Sequence, residues 1–240
     1  MTALSVSDAV VLIVFLVGWT GYNWVTEHSR WARHGLSAAM DVQRRRWMEV
    51  LAHRDLRMID TAIMTGLQQG TAFFASACIF AIGGCFALLG SSRRIAEIAA
   101  DLPFHNRLDV GLVEAKLLGL IVIFAYAFFK FGWAYRLFNY CTILIGAIPM
   151  RDAMERDPES ARGAVTAATR MNQHAAKHFN SGLRGIFFGL AYLGWFLGPL
   201  ILLGSTGFVI AILVHRQFFS GARKVATASV RADAKRRDSR

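Results

Sequence analysis

Long apolar blocks alternate along this chain with shorter polar ones, most of them basic. Four blocks reach the length that a helix needs to cross a hydrocarbon layer, about 20 residues. They predict membrane-crossing helices over about 6–26, 59–90, 112–137 and 184–214. In lipid, backbone amides are satisfied within a helix or a closed barrel, and these blocks lack the alternation of barrel strands. The predicted class is all-α: an integral membrane helical bundle with about four transmembrane helices plus amphipathic surface helices. Residues 1–214 form the membrane domain, and 215–240 a basic C-terminal tail, partly disordered.

The first block, Val6 to Trp24, has no basic stretch before it and no small-residue cleavage site after it. It reads as an uncleaved helix, with Trp19, Tyr22 and Trp24 as interfacial aromatics. Residues 27–57 hold seven Arg. Ser37 is placed to cap a helix on which Met40, Trp47, Leu51 and Met58 share a face. That pattern predicts a surface helix, and makes Arg44, Arg45 and Arg46 candidate contacts to lipid headgroups or a partner; the plainer reading is topology charge.

The second block opens with Asp60, Thr61, Thr65, Gln68 and Gln69 and then turns purely apolar. Gly66 and Gly70 have the GxxxG spacing that lets helices approach. Asp60 and Gln68 line a polar cavity in one reading and sit at headgroup level in the other. Residues 91–116 read as a loop of balanced charge, broken at Leu102-Pro103. The third block carries Lys130, Arg136, Asn139 and Tyr140. A charge at mid-membrane costs about 2.5–3.5 kcal/mol on insertion scales, so depth matters. A helix over 112–148 would be about 55 Å long against a core of about 30 Å. The favoured placement puts Lys130 and Arg136 near an interface and leaves Tyr140–Ile148 as an apolar extension that must pack on protein.

Asp157 with Pro158 predicts a helix start. Ala161, Ala164, Val165, Ala168, Ala175 and Phe179 form its weak apolar face; Arg170, His174, Lys177 and His178 form a basic one. His174 and His178 have metal-ligand spacing, but Lys177 between them opposes a cation and no HExxH glutamate is present. The fourth block has GxxxG pairs at Gly185–Gly189 and Gly194–Gly198, and Pro199 should kink it.

Composition sharpens this picture. The 240 residues are 55% hydrophobic and 18% charged, where soluble domains run about 45–50% and 25%. Net charge is +11, with no nucleic-acid-binding module beside it. Cys78, Cys85 and Cys141 lie in apolar blocks, so no disulfide framework is expected. With four spans both termini share a side. The first helix favours an outside N-terminus, yet the eight Lys and Arg of the tail then fall outside, against the usual bias.

The segments WMEVLAHRDLRMIDTAI, FFASACIFAIGG, FAYAFFKFGWAYRLFNYCTILIGAIP and HFNSGLRGIFFGLAYLGWFLGP resemble, in that order, a family of small bacterial inner-membrane proteins known as domain of unknown function 599. The resemblance runs from about Val10 to Val214 and excludes the tail after Gly221. Its distinctive polar positions correspond to Arg45, Arg46, Trp47, Arg57, Asp60, Lys130, Arg136, Asn139, Tyr140, Asn180 and Arg184. It implies a multi-span inner-membrane protein and carries no catalytic role.

The expected function is a non-enzymatic membrane assembly or interaction protein. The alternative is a small oligomeric transporter or channel with a polar path near Asp60, Gln68, Lys130 and Arg136, Asp60 pairing with Arg136 and Asn139–Tyr140 alongside. A lipid- or quinone-active enzyme ranks last, since no GxSxG, HExxH, P-loop or Rossmann motif is present. Expected partners are the bilayer, anionic headgroups met by Arg44–Arg46 and Arg184, and a second copy or another membrane protein. No catalytic residue, cofactor, metal or nucleic acid is expected.

Overall fold

The structure, a computed structural model, describes residues 5–94 and 110–228. Every regular element among them is helical. They are α1 (Val6–His28), a 3-10 helix (Arg30–His34), α2 (Leu36–Ala52), α3 (Met58–Leu89), α4 (Val110–Gly146), α5 (Arg151–Arg156), α6 (Pro158–Tyr192), α7 (Gly194–Leu197), α8 (Pro199–Val214) and a π-helical segment (His215–Phe219). The last runs into helix at 221–228. Four stretches are long and apolar enough to cross a membrane: Val6–His28, Met58–Leu89, Val110–Gly146 and Pro199–Ala228. The expected break at Leu102-Pro103 and residues 229–240 of the tail lie outside the described residues.

The chain divides into two compact units. Unit 1 takes Met1–Val25, Phe74–Phe129 and Ser181–Leu213; unit 2 takes Thr26–Phe73, Lys130–Asn180 and Val214–Arg240. The division follows charge. Unit 2's segments hold 22 of the 27 Lys and Arg and 11 of the 16 Asp and Glu, so the whole net charge of +11 falls on them. Unit 1 balances to zero.

Unit 1 is built from parts of α1, α3, α4, α6 and α8. The expectation of one helix through 184–214 is corrected here. Ser205 Oγ donates to Ala191 O at 2.7 Å, although a straight helix would set those residues about 21 Å apart. The chain reverses at 193–198. Gly198 makes this possible with φ 138°, a conformation that a side chain disfavours. The kink expected from Pro199 is thus a full turn, with Pro199 opening α8.

Glycine sets the packing around this hairpin. A Cβ on Gly194 would meet Ser205 Oγ at 2.6 Å and the Ile201 carbonyl oxygen at 3.1 Å. Gly185 sits on Ala127 and Tyr126, and Gly189 on Ile123 and Phe124, so the first expected glycine pair does pack a helix closely. Phe15, Trp19 and Tyr22 of α1 meet Phe188 in one aromatic cluster.

These contacts also order the ends of unit 1. At one end Trp195 bonds Asp8 and Lys116, and Ser92 bonds Glu114. Toward the other, Arg184 bonds Asn23, Tyr126 bonds Ser181 and Gly18 packs on Ile210. Five helical passes therefore run between the two ends.

Unit 2 has its own core of Met48, Leu51, Met64, Phe138, Cys141, Ile145, Ile148, Ala168 and Ala175. The apolar extension of α4 is thereby buried in protein, as its sequence requires. On α6 the expected apolar face holds: Ala161, Ala168 and Ala175 are buried. Asp157 Oδ1 caps it by accepting from Ser160 N at 3.0 Å. On α2 the expected stripe holds only in its middle. Leu51 is buried and Trp47 packs partly buried on the core, but the helix stops at Ala52, so Met58 belongs to α3 and is exposed, as is Met40; Ala39, Met48 and Ala52 complete the buried face. Ser37 is not a cap either. Gly35 precedes the helix, and Ser37 bonds Gln217.

Candidate functional site

The polar centre of unit 2 forms where α2 gives way to α3. The short turn at 53–57 places Asp60 in the first turn of α3, where a helix end favours an anion. Asp60 is fully buried. Its Oδ1 accepts from Trp47 Nε1 at 2.7 Å and from Arg54 at 2.6 Å. Oδ2 has no partner. Arg57, three residues before Asp60, donates to Ile145 O at 3.3 Å, Ile148 O at 2.7 Å and Pro149 O at 2.8 Å. Ile145 is in the last turn of α4 and Ile148 and Pro149 follow its end, where carbonyls have no later turn of helix to bond them. Asp60 thus holds the α2–α3 turn, and Arg57 fastens that turn to the end of α4.

One turn along α3, Met64 meets a second buried polar group. Asn172 Nδ2 lies 3.6 Å from Met64 Sδ and 3.8 Å from Cys141 Sγ; its Oδ1 is unpartnered. Cys141 Sγ in turn donates to Ala168 O at 3.5 Å.

The expected polar cluster is not assembled as one group. Asp60 pairs with Arg54, not Arg136. The reason is distance along the chain: Arg54 stands beside Asp60 in the same turn, while Arg136 turns outward. Arg136 is exposed and donates to Tyr140 Oη at 2.6 Å, its guanidinium 5.4 Å from the Tyr140 ring centroid. Gln68 donates to Thr142 Oγ1 at 3.1 Å. Lys130 and Asn139 are half-buried. Among the headgroup candidates, Arg44 bonds Asp41 at 3.1 Å, Arg45 and Arg46 are exposed, and Arg184 lies in unit 1 on Asn23.

Burial pushes the Asp41 carboxyl up, against the pull of Arg44. His178 faces the Trp133 ring at 6.4 Å. Burial, seconded by the positive charge of Lys130, holds its pKa below the usual histidine value. The neutral imidazole is thereby favoured, as suits a ring-facing packing group.

Unit 1 contains a charged pair that sequence reasoning missed. Lys116 is 2% exposed and Asp8 is 8% exposed. Lys116 Nζ donates to Trp195 O at 2.7 Å and lies 5.0 Å from that residue's ring centroid. Trp195 Nε1 donates to Asp8 Oδ1 at 2.7 Å. This chain fastens the hairpin turn to α1 and α4. In the sequence Lys116 reads as the edge of a loop. The signal was that a lysine stands six residues into α4, amid Val113, Leu117 and Leu120.

The comparison that decides the family covers most of this architecture. The profile of a family described as "Protein of unknown function, DUF599" matches residues 10–222. The chain belongs to DUF599. No curated protein and no solved structure matches it. The DUF599 match takes in both units and the π-helical segment. It therefore includes the Asp60 turn, the unit 1 hairpin and the docking of Gln217 on Ser37.

Proposed function

We propose that this DUF599 protein is a non-enzymatic membrane assembly protein, working as a self-associated complex in a bacterial inner membrane. The outer face of α3 carries the reading. A Cβ added to Gly66, Gly70, Gly83 or Gly84 would meet nothing within 4 Å. Bare backbone on an apolar helix is a surface at which a second helix gains close packing, the main drive for association in lipid. Around it Ile59, Ile63, Phe73 and Phe80 are exposed. The polar groups that a conduit would need act instead as structural joints, as at Asp60 and Arg57.

Charge supports an orientation. Unit 2's segments carry the whole net charge of +11. The positive-inside bias favours the basic stretches 27–57 and 149–184 and the tail on the cytoplasmic side, with the N-terminus outside. Five passes remove the difficulty that four leave: the basic tail then joins the other basic segments on one side.

Blue-native electrophoresis in mild detergent tests assembly. The protein is expected to migrate as a species larger than one chain. The double substitution Gly66→Leu and Gly70→Leu is expected to shift it to the monomer with helicity unchanged, because both sites are open. A lone monomer at every protein concentration contradicts the proposal.

A further inference from the structure

A groove in unit 2 of about 310 Å³ is lined by Arg30, Trp31, His34 and Phe218. It forms between the 3-10 helix that follows α1 and the π-helical segment that follows α8. Ser29 starts the first by accepting from Trp31 N at 3.2 Å. Arg223 ties the walls together, donating to His34 O at 2.7 Å and Phe218 O at 2.9 Å. Gly35 lets them approach, since any side chain there would displace Gln217.

Three observations define what fits. One wall of the groove directly follows Val6–His28, a stretch apolar enough to cross a membrane, and the other lies within a second such stretch, Pro199–Ala228, so the solvent around it is the lipid near a headgroup layer. Its surroundings are basic without exception: residues 29–37 and 215–228 hold five Lys or Arg, two His and no Asp or Glu. The Trp31 side chain is 71% exposed beside this charge, an arrangement suited to a molecule with one anionic and one apolar end. We infer that the groove seats one anionic phospholipid of the surrounding bilayer, its phosphate on Arg30 and its glycerol and upper acyl chain along Trp31 and Phe218. A lipid held there joins the segments that follow α1 and α8 through the protein's own solvent.

Full-length protein in nanodiscs of phosphatidylcholine tests this, with a minor fraction of dibrominated phosphatidylglycerol or dibrominated phosphatidylcholine as quencher. The Trp31 fluorescence is the difference between wild type and Trp31→Phe, and neither that change nor Arg30→Gln touches buried structure. Quenching by the phosphatidylglycerol is expected to be about fivefold stronger, the weight of one cation at a headgroup. Arg30→Gln is expected to abolish the preference, and Arg162→Gln, at an exposed position of α6 outside the groove lining, to preserve it. Equal quenching by both lipids, a preference that survives Arg30→Gln, or no quenching by either overturns the assignment.

Discussion

Asp60→Ala is expected to lower stability by about 3 kcal/mol, lowering the melting temperature in detergent by several degrees. The loss has two parts. Trp47 Nε1 and Arg54 both lose their acceptor, and the fully buried site is left hollow. Arg54 is 38% exposed and regains water, which keeps the cost below that of a fully buried pair. Arg54→Ala is accordingly expected to cost less, about 1 kcal/mol. The order separates two accounts of Asp60. A joint that holds the α2–α3 turn requires the carboxylate for stability, whereas a carboxylate lining an aqueous path would be stabilised by removal of its charge. Melting curves in which Asp60→Ala matches or exceeds wild type would contradict the joint.

Gly194→Val is expected to cost about 3 kcal/mol or to abolish folded protein. Its Cβ would meet Ser205 Oγ at 2.6 Å and the Ile201 carbonyl oxygen at 3.1 Å, and that backbone carbonyl cannot swing aside as a side chain can. Gly204→Val, on the same hairpin and with nothing within 4 Å, is expected to be neutral. Thermostability of the pair in detergent is the check. Equal tolerance at both positions would mean that the chain does not reverse at 193–198.

The apolar blocks announced the helices because lipid leaves a spanning chain few alternatives. Asp157-Pro158 announced the start of α6 because capping is local chemistry. The protruding end of α4 followed from arithmetic, 37 residues against a hydrocarbon core of about 30 Å. The hairpin at Gly198 was not legible. The run from Gly185 to Val214 is unbroken in hydropathy, and Pro199 in such a run most often marks a kink. What turns it is positive φ at one glycine and a Lys116 contact from 79 residues away. The partners of Asp60 were missed for the opposite reason. They lie within 13 residues, at Trp47 and Arg54, while a charge in an apolar block invites a search across helices. The stripe on α2 lost its last member, Met58, because that residue follows a turn that the spacing alone does not reveal.

The proposed orientation sets the two ends of the described chain on opposite sides of the membrane. An impermeant maleimide applied to Val6→Cys and Ala228→Cys tests this directly. Both positions are exposed, and the native Cys78, Cys85 and Cys141 are buried and add little background. Val6→Cys is expected to react in intact cells and Ala228→Cys only after permeabilisation. Reaction of both in intact cells, or of neither, would place the two ends together and contradict the proposed orientation.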